Sequence, residues 1–455
     1  MTSKRSSKFR DLHAALASEV IDALSANQPD TARRLVQSLH SADIADLLEH
    51  VSHRERERLV EVLREGFDPK ILTELDDAVA ERVIDQLGHI HVAEAVGSME
   101  TDDAVDVVEA LDPEVQQAVL EPLAPVHRTL IEEGLSYPEN SAGRLMQRQV
   151  AAVPADWTVG KTIDYLRDAD DLPADFFDLF LTDPERRPIG TIPLSRVLRT
   201  PRGAALTEIM RSELRMISAD MDQEEVAFLF RQRDLISAPV IDAEGRLLGV
   251  VTVDDVVDVI HEEHEEDIMG LAGVGTEDDR FHAIRDTIRS RFVWLTIHLV
   301  AAIAASAIIS RFAGTIEELV ALAILMPIVA TMGGTAGIQA LTVAVRAIAA
   351  KELTATNALR SIRKEILVSS LNGLLFGVLI GGLAWAWFGS PALGGVIALA
   401  MVINLLAAGL TGSALPVVLQ RAGFDPAVAS SALLTSVTDV VGFYVFLALA
   451  AVLLL

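Results

Sequence analysis

Through the first 137 residues apolar positions recur three and four apart, as in Asp43 to Val51, Arg58 to Leu63, Val79 to Leu87 and Ala104 to Leu111. That spacing predicts short amphipathic helices. Two pieces, HSADIADLLEHV…LVEVL and HVAEAVGSMETDDAVDVVEAL, share a pattern, and paired helices stacked into a small superhelix fit them. Pro113, Pro122, Pro125 and Pro138 punctuate the end of this region. From about 140 to 262 short β-rich runs alternate with helices, and a repeat of 64 residues emerges. RLMQRQVAAVPADWTV, around Met146, lines up with EIMRSELRMISADMDQ, around Met210, and Asp156 falls on Asp220. Each copy continues into an amphipathic helix and two strands, FFDLFLTD and PIGTIPL in the first, ISAPVID and LLGVVTV in the second. Five apolar segments follow: Phe292 to Ile309, Leu319 to Val345, Ile366 to Trp387, Leu393 to Leu419 and Ala427 to Leu455. Each is near the ~20 residues that cross a hydrocarbon core as a helix.

Charge divides the chain at the same place. Of 65 acids and 38 basic residues, six and eight lie from Arg291 onward, so the first 290 residues carry a net −29 and the remainder +2. Such an acidic part lacks the basic face that neutralises phosphates, which argues against nucleic acid as a partner and against docking on anionic lipid. Cations are the ligands it favours. Cysteine is absent, which excludes disulfides and thiolate metal sites. The start, Met1 to Arg10, is basic and polar and does not read as a signal peptide. The acidic part is therefore expected in the cytoplasm.

An acid, Asp439, interrupts the last apolar run. A carboxylate near the middle of a span costs roughly 2.5 kcal/mol or more and marks an ion path more often than decoration. The basic residues that could pair with it cluster in loops: Arg346, Lys351, Arg360, Arg363 and Lys364 between the second and third spans, and Arg421 after the fourth. With those loops inside, the outer connections carry little positive charge, and five spans place the carboxyl terminus outside. The second span holds Pro327 and then Met332-Gly-Gly-Thr335-Ala-Gly337-Ile-Gln339. Proline and three glycines there predict a kink or local unwinding beside a water-filled path; the competing reading is that the glycines only allow close helix packing. Gly333, Gly334, Thr335, Gly337 and Gln339 are accordingly the pore-lining candidates. Gly373, Gly377 and Gly381, four residues apart, predict a packing seam.

The 64-residue repeats resemble a tandem pair of cystathionine-β-synthase (CBS) domains, a regulatory module that commonly binds adenosine nucleotides. In that module a strand ending Gly-h-h-[Ser/Thr]-x-x-Asp sets a hydroxyl and a carboxylate near phosphate and ribose. Gly249-Val-Val-Thr252-Val-Asp254-Asp255 fits, so the resemblance makes Thr252 and Asp255 nucleotide-binding candidates, and ATP or another adenosine nucleotide a possible cofactor. Gly190-Thr-Ile-Pro193 departs, with proline where the hydroxyl belongs. Asp255 could equally begin the next helix as an N-terminal acid. That helix, Asp254 to Gly273, is the most acidic stretch. Its His261-Glu-Glu-His264 is no zinc-protease motif, which needs histidines four apart. Like charges crowded at helical spacing repel, and a hydrated Mg2+ held through one or two carboxylates would relieve them. Asp254, Asp258, Glu262, Glu263, Glu266 and Asp267 are the sensor candidates, with Asp102 and Asp103 as further ones.

Taken together, HSADIADLL, SAGRLM, VTVDDVVDVI…EEDI, Met332 to Gln339 and FDPAVAS…TDVVGF, in this order, resemble the MgtE family of bacterial magnesium channels over essentially the whole chain. The resemblance implies an acidic all-α superhelical amino-terminal domain (1–137), an α/β tandem CBS pair (138–202 and 203–262), a connecting plug region (263–290) and an α-helical membrane domain of five transmembrane helices (291–455). It further implies a multi-pass homodimer in the bacterial inner membrane, with an ion path along the shared interface lined by the second and fifth spans. Asp439 would bind the ion, acidic cytoplasmic domains would sense Mg2+, and the connecting helix would plug the pore. Thr335 stands where the family usually has asparagine and Ile338 where it often has a second one, which leaves pore shape and ion preference open. The expected function is a magnesium-gated magnesium channel, not an enzyme. The rivals are a channel for Co2+, Mn2+ or Zn2+, where only His298 offers a histidine near the spans, and a membrane-anchored CBS sensor without transport. A Walker phosphate loop is absent, which disfavours an ATP-driven pump.

Overall fold

Short helices with one apolar face build the beginning of the molecule. They run from Pro29–Val36 through Ser41–His50, His53–Leu63 and Asp77–Leu87 to Thr101–Glu109, Pro113–Leu120 and Pro125–Leu135. Proline opens three of them at a first-turn position, where its missing N–H costs no hydrogen bond. Pro113 and Pro125 thus start helices as well as ending what precedes them. Side chains fix other starts: the Ser52 backbone N–H donates to Glu55 at 2.9 Å and the Ala78 N–H to Asp76 at 3.1 Å. The inward stripes bury Ile44, Leu48, Leu59, Val60, Val79, Val83, Val105 and Val108.

This computed structural model describes residues 16–169, 172–173, 175–274, 284–353 and 357–455, apart from the side chains at 77, 286, 290 and 428–430. Met1 to Arg10 and positions 275–283 of the expected connecting region lie outside the described residues. The chain forms two compact units, Met1–His261 and Glu262–Leu455.

The repeat is visible in the backbone of the first unit. Strands β1 (Ala152–Pro154), β2 (Asp178–Thr182) and β3 (Pro188–Pro193) form one sheet, and β4 (Ile217–Ser218), β5 (Ser237–Ile241) and β6 (Leu247–Thr252) form another. In both, the first pair is parallel, the second antiparallel, and a bulge falls at the same place, Leu181/Thr182 and Val240/Ile241. Each copy also lends its leading segment to the other. Gln147 pairs with Val250, and Arg211, 64 positions on, pairs with Thr191. Gly249 leaves room for Met146, and Gly190 for Met210, since a Cβ would stand 2.9 and 2.8 Å from the respective sulfurs. The two methionines that mark the repeat thus help join one copy to the other, together with the Ser237–Asp178 hydrogen bond and the packing of Phe180 on Leu247 and Val250.

Among the described residues, the second unit contains five helices long and apolar enough to cross a membrane: Thr287–Ser310, Ala321–Ala349, Ala358–Phe388, Pro391–Arg421 and Ser431–Leu453. The third begins earlier than hydropathy alone indicates, because Arg360, Arg363, Lys364 and Glu365 are helix formers that extend it beyond its apolar part. The fourth is the most enclosed, and Leu393, Val396, Ile397 and Ala400 pack with Leu322, Leu325 and Val329 of the second and Phe446, Leu447 and Ala450 of the fifth. Third and fourth spans meet at the expected glycine seam. A Cβ on Gly373 would lie 3.1 Å from the Val402 Cα, and one on Gly377 2.8 Å from the Ala398 carbonyl oxygen. Gly377→Ala should therefore destabilise the unit by about 1–3 kcal/mol through overpacking. Gly382→Ala, whose methyl meets nothing within 4 Å, should not. Thermal unfolding of both variants in detergent checks the pair.

The second span runs as one helix through Pro327 and all three glycines. The local unwinding expected there is not present, because Gly333 and Gly337 serve close packing. A Cβ on Gly333 would collide with Asn404 of the fourth span, and one on Gly337 would lie 2.9 Å from Leu434 of the fifth.

Candidate ion sites

Two helix starts bring acids together in the first unit. Asp102 and Asp103 occupy the first turn of Thr101–Glu109, and Asp254 and Asp255 the first turn of Val253–Ala272. Burial, and then the charge of Asp255, push the Asp102 carboxyl well above the usual carboxylate range. Its Oδ1 is enclosed and has no hydrogen-bond partner. Asp255 is pushed up to about 7, chiefly by burial, although the Thr252 hydroxyl donates to it at 2.7 Å. Asp103 is raised by burial and by Asp254 and Asp258, with Lys70 opposing. Asp258 is raised by burial and then by Asp254. Glu100, which sequence reasoning missed, is raised by burial and the charge of Asp103.

The fold therefore gathers Asp102 and Asp103 with Asp254 and Asp258. It also draws in Asp255, whose carboxylate caps its own helix through Thr252. Among the described residues the three acidic or histidine side chains whose ligand atoms all lie within 4.8 Å of one another are Asp46, Glu49 and His50, so this group crowds its acids without setting three of them around one point.

A second cluster lies in the other unit, at the far end of the same helix. Burial raises Glu266, followed by the charges of Glu263 and Asp425, and burial then Asp425 raise Asp267. Asp425 caps the last helix, accepting the Ala427 N–H at 2.7 Å. No spacing in the sequence relates Asp425 to the connecting helix, about 160 residues earlier, so only the fold could reveal it. Glu262 and Glu263 begin this unit on the same helix. Its final turn reaches the spans: Leu271 packs on Leu341 and Val345 of the second and Ala427 and Leu434 of the last helix. A Cβ on Gly273 would lie 3.9 Å from the Ser431 hydroxyl and 4.0 Å from His298 Nε2.

On the second span Thr331, Thr335, Gln339, Thr342 and Arg346 are exposed at intervals of four, four, three and four residues, one stripe along the helix. Of the pore-lining candidates, Thr335 and Gln339 lie on this stripe and Ile338 borders it, whereas Gly333 and Gly337 are buried against neighbouring spans. Gly334 faces open space. A polar stripe in a membrane helix needs water or a partner. Asp439 is half-buried on the fifth span, and among the described residues no basic side chain forms an ion pair with it.

Three family models match the chain: a divalent cation transporter domain over 326–449, the MgtE intracellular N domain over 39–140, and the CBS domain over 206–262. The chain is 30% identical over 444 residues to the magnesium transporter MgtE of Thermus thermophilus, covering 96% of this chain and 98% of that protein. It is 26% identical to the Bacillus subtilis magnesium transporter MgtE, covering 92% and 93%. Among solved structures, the cytosolic domain of the Mg2+ channel MgtE in complex with ATP matches with a TM-score of 0.50 and 28% identity, over 53% of this chain and 99% of that one.

Proposed function

Because the chain belongs to the MgtE family, we propose that it is a magnesium channel of a bacterial plasma membrane, closed by Mg2+ on its cytoplasmic acids. The observation that carries the gate is the seat of the connecting helix. Its last turn lies on the second and fifth spans while Glu266 and Asp267 face Asp425. At high internal Mg2+, ions bridge these carboxylates and those around Asp102, Asp103, Asp254, Asp255 and Asp258. Repulsion is relieved and the helix stays on the pore. When Mg2+ falls, the uncompensated charges push apart and the helix leaves. Ions then enter down the membrane potential, worth ~2.3 kcal/mol per charge per 100 mV.

In this reading two copies associate so that their polar stripes and Asp439 side chains face one path, amino-terminal domains inside and carboxyl termini outside. Mg2+ sheds water reluctantly, so a pair of Asp439 carboxylates grips the hydrated ion through its waters. The CBS pair takes an adenosine nucleotide beside Thr252 and Asp255 and biases the same gate. Support comes from the module's strand ending and from the ATP complex of the similar cytosolic domain.

Influx into proteoliposomes loaded with a magnesium-sensitive dye tests both halves of this. Fast influx at low internal Mg2+ and its suppression at millimolar internal Mg2+ are expected. Absence of influx at every internal concentration would overturn transport, and influx indifferent to internal Mg2+ would overturn the gate.

A further inference from the structure

Asn404 sits in the middle of the fourth span with no surface exposed. Its Nδ2 donates to the Val329 carbonyl oxygen of the second span at 2.9 Å. Its Oδ1 is buried and has no hydrogen-bond partner among the described residues. An amide is costly to enclose among apolar helices, and more so when half its hydrogen-bonding capacity is unused. Leucine, alanine or valine would fill the place without that cost.

Two glycines make the room that Asn404 occupies. A Cβ on Gly333 would overlap its amide nitrogen and lie 2.9 Å from Cγ. A Cβ on Gly442 would lie 2.8 Å from Nδ2, 3.1 Å from Cγ and 3.2 Å from Oδ1. Gly333 precedes Thr335 by two residues, and Gly442 follows Asp439 by three, close to one helical turn. A single side chain of the fourth span therefore keys into the second and fifth spans at the level of their polar residues.

We infer that Asn404 is a positioning residue of the ion path: seated between Gly333 and Gly442, its amide sets the separation of the second and fifth spans and so where the Thr335/Gln339 stripe stands relative to Asp439. The inference rests on the proposed path along those two spans. The cargo it serves is a hydrated divalent cation, whose grip through water depends on the spacing of the groups around it. Hydrogen-bonding glue between spans, the purely structural alternative, would not depend on which ion passes.

The test is external Mg2+ dependence of influx into proteoliposomes, with Ca2+ as competitor, for Asn404→Ala, Gly442→Ala and the double variant, with Asp439→Ala in parallel. Asn404→Ala is expected to raise the Mg2+ half-saturation about fivefold, the scale of one lost net hydrogen bond. It should also let Ca2+ compete better, while leaving unchanged the internal Mg2+ that closes the channel. Gly442→Ala, pressing on the same amide, should do likewise, and the double variant should be no worse than Asn404→Ala, since its methyl no longer meets the amide. Multiplying effects, or lower flux at unaltered half-saturation and ion preference, would reduce Asn404 to a packing residue and overturn the inference. If Asp439→Ala keeps full influx, the path itself lies elsewhere and the inference falls with it. If Asp439→Ala loses influx while the other effects multiply, the path stands and only the positioning role fails. Should Asn404→Ala not assemble, Asn404→Ser, also smaller than the native amide, takes its place under the same criteria.

Discussion

Asp439→Ala should lower Mg2+ influx by at least about tenfold at matched incorporation, the largest functional loss expected of any single substitution in the membrane unit. A contact to a charged group is worth about 1.5–3 kcal/mol, and each 1.4 kcal/mol is tenfold. In the proposed dimer the substitution removes two such groups at once. Asp439 is half-buried in a helix whose apolar length fits a membrane, and among the described residues no cation neutralises it. Its charge thus has the passing ion as its natural partner. Asp439→Asn keeps the size and part of the hydrogen-bonding capacity, so it should fall between the two, because water molecules of a hydrated Mg2+ donate better to a carboxylate than to an amide. Dye-monitored influx distinguishes the three proteins. Equal influx in all would make Asp439 a structural residue and move the path away from the fifth span.

Much of this was legible in the chain because periodicity carries it. A change from helical spacing to β-rich runs marks the CBS pair, and its 64-residue repeat carries Gln147 onto Arg211, whose pairings with Val250 and Thr191 mirror each other. The glycine seam of the third span was legible for the same reason: residues four apart share one helix face. What was not legible depends on which face meets which neighbour. Gly333 and Gly337 read as pore lining, yet they turn toward Asn404 and Leu434, while Thr335 and Gln339 lie on the exposed stripe. Asn404 itself gave no signal, since one asparagine in a long apolar run has nothing in its local pattern to show its partners. Asp425 read as a helix start, which it is, and only the fold sets it against Glu266 and Asp267. Glu100 was likewise hidden, and Asp255, legible as a nucleotide contact or a helix start, gave no sign of its nearness to Asp102, because the two helix starts are about 150 residues apart.

That cluster carries the second large effect, a dependence of the first unit's stability on both pH and Mg2+. Asp255 is pushed up to about 7, chiefly by burial, and Asp102 is held well above its ordinary range by burial and by Asp255. In the unfolded chain both titrate near the usual carboxylate value, so between about pH 4 and pH 7 the folded state binds more protons than the unfolded one. Stability without Mg2+ must then fall as pH rises through this window, and stay low above it. Mg2+ binds the ionised carboxylates and not the protonated ones, so it opposes the loss where protons have left. Thermal unfolding of the protein in detergent is therefore expected to show a transition of the first unit several degrees lower at about pH 8 than at about pH 5 without the ion. Millimolar Mg2+ should restore it at the higher pH and do little at the lower one. Asp102→Asn removes one of the crowded charges: it should raise the ion-free transition at about pH 8 and shrink the response to Mg2+ together. An equal Mg2+ shift at both pH values, or a variant as responsive as the native protein, would place magnesium sensing outside the cluster formed by the two helix starts.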